Sequence, residues 1–158
     1  MLRRLAAACV LHSEVDRSMR TALLSSLVAL AGLATAHASE PLLDLQVGAT
    51  PLKAEYARSP DERARGLMER TELAADRGML FRFGDFRRHC LWMKDTPLPL
   101  SAAFMDEQGR IVDILDLQPL DTTIRCSREP ARYALEVNQG WFRQHRLEVG
   151  DQVTGIPD

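Results

Sequence analysis

The stretch "PLSAAFMDEQGRIVDILDL" (residues 99–117) has the strongest hairpin pattern in the chain. An apolar run ends at Met105, a polar turn containing a glycine follows, and a second apolar run continues to Leu117. Turn residues between two runs of strand formers are typical of an antiparallel hairpin. Because the apolar residues after the turn come in pairs instead of alternating, we also expect a bulge near Asp113.

Short elements surround this hairpin. Ser59 as N-cap, Pro60 at the first helical position and Glu62 three residues after the cap form a capping box and predict a helix to about residue 68. Gly66 either ends this helix or marks a close packing contact. Apolar periodicity predicts strands at residues 43–47, 52–56, 78–83, 89–93, 133–137 and around 150, and a turn or short helix near 140. The fold class is therefore mainly β, a small antiparallel β-sandwich or barrel with one or two short helices.

Residues 19–38 have the pattern of a secretory signal peptide. Arg20 supplies the positive start, residues 22–34 are apolar, and Ala38 closes a small-x-small cleavage site. We expect cleavage after Ala38, a periplasmic or secreted bacterial location, and membrane contact only transiently through this peptide. A retained anchor is the alternative, although the apolar run is shorter than the roughly 20 residues of a spanning helix. Residues 1–18 either extend the signal or precede a true start at Met19.

Residues 39–158 are expected to form a single domain with one hydrophobic core. Of the 20 basic and 22 acidic residues in the chain, four and two precede residue 39, which leaves 16 and 20. Because the basic residues are scattered, nucleic acid is not an expected partner. The expected partner is a small polar ligand or a periplasmic protein, and no cofactor is expected.

Cys90 and Cys126 are the cysteines of residues 39–158. An even number of cysteines in an exported chain predicts a disulfide. The alternative is a soft-metal site that uses both thiolates. Catalysis by Cys90 with His89 is disfavoured, because adjacent residues on a strand point to opposite faces.

Several blocks of the chain, in their order and approximate spacing, resemble the domain-of-unknown-function family 192 (DUF192). They are "RARGLMER" (63–70), "GMLFRF" (78–83), "LWMKDTPLPLSAAFMDEQGRIVDI" (91–114) and "YALEVNQGWF" (133–142) followed by "LEVGD" (147–151). The resemblance extends from about Leu43 to the end of the chain and implies a small β-rich domain, frequently exported, with no established activity. Asp95 departs from the family pattern, in which asparagine is usual, and this weakens any role that needs an amide there.

A set of polar residues around Glu136 is the candidate ligand-binding site. Glu136 lies in an apolar strand, and if its face is buried the carboxylate needs a cationic partner, which Arg65 or Lys94 could supply. The set predicts either a structural ion pair or the polar floor of a pocket. Its members are Arg65, Lys94, Asp95, Thr96 and Glu136, with Trp92 or Trp141 as the wall.

Three functions remain open, and no residue is assigned a catalytic or metal-binding role. The favoured one is a non-enzymatic periplasmic binding or accessory module. A small hydrolase or transferase with Glu136 or Asp95 as general acid or base is the alternative, although no serine has a nucleophile-elbow context. A soft-metal (copper) protein is the second alternative, although methionine more often fills gaps in a core. The methionines considered are Met68, Met79, Met93 and Met105.

Overall fold

The computed structural model describes residues 41–157. The predicted signal peptide, its cleavage site, the domain boundary after residue 38 and the segment 1–18 lie outside the described residues. Within residues 41–157, no helix has the length and apolar character needed to span a bilayer.

The described chain is mainly β with two short helices, which confirms the predicted fold class. Seven strands form one sheet that curls into a half-barrel, in the order β6-β5-β8-β3-β2-β1-β9, and β4 and β7 pair separately. The elements are β1 (Leu43–Val47), β2 (Thr50–Ala57), α1 (Pro60–Arg65), β3 (Arg77–Arg87), β4 (Cys90–Leu91), β5 (Leu100–Met105), β6 (Ile111–Leu117), β7 (Arg125–Cys126), β8 (Ala131–Asn138), α2 (Trp141–Gln144) and β9 (Val153–Thr154).

One pair of strands in the large sheet is parallel. β2 and β3 run in the same direction, and α1 with the loop after it connects them. Parallel neighbours need such a crossover connection, whereas antiparallel neighbours can be joined by a tight turn. The other strand pairs of residues 41–157 are antiparallel, as predicted.

The large sheet is buried on both faces. Alternation along the strands puts Leu80 and Leu135 on one face, where α2 adds Trp141. We call this the α2 face. The opposite face carries Phe81 and Phe104 and is covered by the turn after α1 and by the segment after β4. We call it the α1 face.

β5 and β6 form the predicted hairpin. Their register shifts between the pairs Phe104–Asp113 and Met105–Ile111, so that Val112 is the extra residue. The bulge therefore lies beside the predicted position, where one strand contributes two residues against one on its partner.

The capping box of α1 is present as predicted. The Ser59 hydroxyl accepts a hydrogen bond from the Glu62 backbone N–H, and the Glu62 carboxylate accepts one from Ser59 N–H at 2.8 Å. The helix ends at Arg65 and not near residue 68 as predicted, because Gly66 adopts a φ of 47°. A Cβ at Gly66 would also lie 3.3 Å from the Phe81 ring, so both interpretations of this glycine hold.

The segment "HCLWM" forms less strand than predicted. β4 contains two residues, because its partner β7 is equally short and was not predicted from the sequence. Near the end of the chain, the two predicted strand pieces are reduced to β9 and an isolated bridge between Gln152 and Arg110. α2 follows Gly140 as predicted.

The predicted disulfide between Cys90 and Cys126 is confirmed, with an S–S distance of 2.08 Å. The two cysteines are directly opposite each other across β4 and β7. Because both sulfur atoms are in the bridge, the alternative of a metal site built from two thiolates is wrong for this structure.

Replacing both cysteines (Cys90→Ser with Cys126→Ser) should lower the free energy of unfolding by about 3–4 kcal/mol, because the bridge closes a long loop and restricts the unfolded chain. The bridged residues are 36 positions apart. Urea denaturation without reductant measures the loss. Added reductant should not change the free energy of unfolding of the double variant, and it should lower that of the natural chain to the same value. A loss below about 1 kcal/mol would contradict the loop-closure account.

Gly66→Ala should lower the free energy of unfolding by about 1–2 kcal/mol, because a Cβ is strained at positive φ and Phe81 restricts the space. The matched control is Gly84→Ala on β3, where an added Cβ meets no atom within 4 Å. Thermal and urea unfolding should show the control within about 0.5 kcal/mol of the natural chain. Equal effects of the two substitutions would remove the role assigned to Gly66.

Candidate ligand-binding site

Glu136 lies at the centre of the large sheet. It belongs to β8, and its partners in the neighbouring strands are Met79 of β3 and Ala102 of β5. Strand alternation puts these side chains on the α1 face, and the Glu136 side chain is only 5% exposed. A carboxyl group thus occupies a position that the strands on either side fill with apolar groups.

The Glu136 carboxyl has no ion-pair or hydrogen-bond partner among residues 41–157. The ion pair predicted between Glu136 and Arg65 or Lys94 is therefore wrong. Arg65 is exposed at the end of α1, and the Lys94 ammonium lies 4.0 Å from the carboxylate of its neighbour Asp95. The sheet holds the acid away from both bases.

Burial raises the pKa of Glu136 to about 8. Removing a carboxylate from water disfavours its charged form, and no nearby positive charge offsets this effect. The side chain is consequently a neutral acid over most of the physiological pH range. It can donate one hydrogen bond and accept others.

A cavity of about 250 Å³ lies over Glu136. Thr96 is a second buried polar residue on its lining, and Arg63 and Arg65 supply its basic groups. An apolar wall with a few convergent polar groups is typical of small-ligand sites. The apolar wall consists of Leu67, Met68, Phe81, Phe83, Leu91, Trp92 and Met93.

Backbone hydrogen bonds hold the segment that covers this cavity. Glu69 N–H donates to the Asp95 carbonyl at 2.7 Å, which joins the turn after α1 to the segment after β4. Leu120 N–H donates to the Thr96 carbonyl at 3.0 Å, and Met93 N–H donates to the Asp121 carbonyl at 2.9 Å. Together with the disulfide, these hydrogen bonds attach the covering segment at several points. The cavity is therefore already formed without a bound ligand.

Asp95 is part of this cover through its backbone. Its φ is 52°, a region that asparagine and aspartate enter more readily than most residues. The short polar side chain therefore suits the turn, whether it ends in an amide or a carboxylate.

Four of the seven predicted site residues line the cavity: Arg65, Trp92, Thr96 and Glu136. Lys94 and Asp95 are exposed and are not part of its lining. The Lys94 ammonium instead lies 5.5 Å from the centre of the Trp92 ring.

Trp141 lies on the opposite side of the sheet from the cavity. It is buried on the α2 face, where it packs edge-on against Phe142 with ring centroids 5.4 Å apart. The alternative in which Trp141 forms the pocket wall is therefore wrong, because the sheet separates this tryptophan from Glu136.

Several lining residues were not selected as binding residues from the sequence. Phe81 and Phe83 alternate along β3 on the same face as Met79, so the signal for their common orientation was present. The sequence did not indicate that this face opens to a cavity. Arg63 lies two positions before Arg65 in α1 and carried no separate signal.

A wider surface groove of about 800 Å³ adjoins the cavity at Arg65, Gly66 and Met68. Two charged groups of this groove, Arg70 and Glu55, are already paired with each other, with a hydrogen bond of 2.6 Å from Arg70 to the Glu55 carboxylate. The cavity over Glu136 is the stronger candidate, because its buried carboxyl is unpaired.

Metal-binding groups are sparse in this region. Among residues 41–157, no group of three or more histidine, cysteine, aspartate or glutamate side chains is arranged to hold a metal ion. Met68 and Met93 line the cavity, whereas Met79 and Met105 are core residues on opposite faces of the sheet. His89 stacks on Phe83 with ring centroids 3.7 Å apart, and burial lowers its pKa.

Comparison with known proteins identifies the family. Residues 43–155 match DUF192, which is described as an uncharacterized ACR. The chain belongs to the DUF192 family. No curated protein matches it.

Two solved structures are similar to this DUF192 protein. One, from Sinorhizobium meliloti 1021, is described as a proposed transcription regulator; it is 37% identical, with a TM-score of 0.70 over 72% of this chain and 93% of that chain. The other is a protein of unknown function from Novosphingobium aromaticivorans DSM 12444, 30% identical, with a TM-score of 0.69 over 72% and 84% of the two chains.

The Glu136 pKa predicts a pH dependence of stability. Between pH 4.5, its ordinary pKa, and about 8, the folded state keeps this proton and the unfolded state has released it. Raising the pH through this window therefore favours unfolding. Glu136→Gln removes this effect. Between pH 5 and pH 7.5, the free energy of unfolding of the variant should therefore rise by about 2–3 kcal/mol relative to that of the natural chain.

Urea denaturation of both proteins at the two pH values measures this gain. Glu72→Gln, at an exposed carboxyl, is the matched control and should show no comparable gain. If the difference between the natural chain and Glu136→Gln were the same at both pH values, the raised pKa would be contradicted.

Proposed function

We propose that this DUF192 protein is a non-enzymatic, exported binding module that holds a small polar ligand in the cavity over Glu136. The observation that carries the proposal is the unpaired Glu136 carboxyl, which is buried in the sheet and lines that cavity. A buried polar group without a partner costs free energy. A ligand that hydrogen-bonds to the carboxyl would recover part of this cost.

The cavity offers few groups for catalysis. Asp95 is not on its lining, so Glu136 has no second carboxyl there to work with as an acid and base pair. Cys90 does line the cavity, but the disulfide occupies its sulfur. These features favour binding over turnover.

A hydrolase or transferase with Glu136 as general acid or base is the second candidate. A pKa near 8 is close to the operating pH of most enzymes, where general acids and bases are effective. Glu136 is therefore the central residue in both candidate functions, and the experiment must distinguish ligand binding from turnover.

Export is supported by the signal-peptide pattern of residues 19–38 and by the Cys90–Cys126 bridge. Disulfides persist in oxidising compartments such as the periplasm. Similarity to the protein described as a proposed transcription regulator does not by itself assign that role to this chain. The scattered basic residues here and a formal net charge of −2 favour a small ligand over nucleic acid.

The proposal is tested by screening the isotope-labelled natural protein by NMR against sugars, cell-wall fragments, small metabolites and copper(I). A ligand of the cavity should shift the resonances of Thr96 and Glu136. Glu136→Gln keeps a hydrogen-bond donor and should bind within about tenfold of the natural affinity, whereas Glu136→Leu should lose binding, at least for neutral acceptors.

The same variants separate the alternatives. Turnover that is lost in Glu136→Gln while binding persists would favour the enzyme. Asp95→Asn is the control and should bind normally, because Asp95 is outside the cavity. Copper binding that is lost when Met68 and Met93 become leucine would favour the soft-metal protein. Unchanged ligand binding in Glu136→Leu would contradict the proposed site.

A further inference from the structure

The basic side chains on the lining determine which ligand charge the cavity favours. Arg63 and Arg65 are its cationic residues, and Glu136 is its acidic residue. Because burial keeps Glu136 protonated near neutral pH, the lining carries a net positive charge. A cleft lined by one sign of charge attracts ligands of the opposite sign.

The two arginines differ in what they already bind. The Arg63 guanidinium donates to the Arg82 carbonyl at 3.0 Å and also to the Arg58 carbonyl, which fixes it against the middle of β3 and the residue that follows β2. The Arg65 side chain has no hydrogen bond or ion pair within residues 41–157, although the Arg65 backbone carbonyl accepts a hydrogen bond from Met68 N–H at 3.0 Å. Its planar group of five donors is available, and such a group binds a carboxylate through two parallel hydrogen bonds.

We propose that the cavity takes a small organic carboxylate whose anionic group meets Arg65 at the rim and whose far end presents a neutral hydrogen-bond acceptor to Glu136. This inference rests on the proposed binding function and adds the charge and the orientation of the ligand. A carboxylate in the reverse orientation would leave Arg65 unpaired.

The wall and the size of the cavity define the body of this ligand. Phe81, Phe83 and Trp92 provide aromatic surface on the lining of the cavity. The volume of about 250 Å³ is below the roughly 300–1,000 Å³ of drug-sized sites. A compact apolar body, such as one aromatic ring, suits this space.

Cations are the less favourable class. An ammonium ion or a metal ion would lie beside two guanidinium groups, and it would have to displace the proton of Glu136 to gain a negative partner. The Thr96 hydroxyl donates to the Lys94 carbonyl at 3.1 Å, so its oxygen is free to accept a hydrogen bond but supplies no charge.

The test compares three probes of the same shape and different charge: 4-acetylbenzoate, 4-acetylbenzamide and 4-acetylbenzylamine. Each is titrated into the natural protein at pH 7, with resonances of cavity residues as the readout. We expect the carboxylate to bind at least about tenfold more tightly than the other two, since hydrogen bonds to charged groups are stronger than those between neutral groups.

Variants of Arg65 test the orientation. Arg65→Gln should remove the preference for the carboxylate, and Arg65→Lys should keep part of it, because lysine retains the charge but not the paired donors. Arg143→Gln is the matched control, since this arginine is exposed on α2 at the opposite face. Glu136→Leu should weaken 4-acetylbenzoate but not 4-ethylbenzoate, which lacks the acceptor.

The outcomes separate this inference from the proposed function. If the amide or the amine binds the cavity as tightly as the carboxylate, the binding function stands and the anion inference is overturned. A carboxylate preference that survives Arg65→Gln also overturns it. If none of the three probes shifts the cavity resonances, the inference is overturned, and the broader library screen decides the binding function by itself.

Discussion

The central strand β8 is covered on both faces, and every side chain along its middle must therefore be accommodated inside the protein. Leu135 and Val137 meet this constraint as apolar side chains on the α2 face. Glu136 does not, and no base approaches it. Since an unpaired charge is too costly to bury, the carboxyl is held in its neutral form, and the space above it is left as a cavity instead of being filled by a side chain.

The cover of the α1 face is made of turns and short strands, not of a long helix. The disulfide, the hydrogen bond from Glu69 to Asp95 and the turn at Gly66 hold these pieces together. Such a cover buries Leu67 and Met93 against the sheet, and both residues also line the cavity that remains beneath it. On the α2 face, Trp141 and Phe142 are packed into the core, and the depression of about 450 Å³ beside Phe142 has on its lining only exposed carboxyl groups, those of Asp116 and Glu148. The two sides of one sheet thus have different uses, a packed core and a candidate site.

Predictions from the sequence succeeded where the interactions are local. The hairpin of β5 and β6 and the capping box at Ser59 depend on residues that are close in the chain, and both formed as expected. The helix ends at Arg65, before the predicted end near residue 68, at the glycine that the sequence indicated as one possible end. The predicted five-residue strand at "HCLWM" formed over only two residues, because strand length depends on a partner, and β7 offers only two residues. The choice between Trp92 and Trp141 was equally inaccessible, since periodicity shows that two faces exist but not which face each distant segment covers.

By itself, the sequence determined the fold class, the family blocks, the disulfide pair and the fact that Glu136 is an acid within an apolar strand. Only the tertiary structure decided that this acid has no cationic partner. The physical reason is that solvation of a carboxyl depends on everything around it, here two neighbouring strands, the turn after α1 and the segment after β4. Arg65 and Lys94 were plausible partners in sequence, but the sheet and its cover keep both in solvent. That separation converts an expected ion pair into a neutral acid beneath a cavity with arginines on its lining.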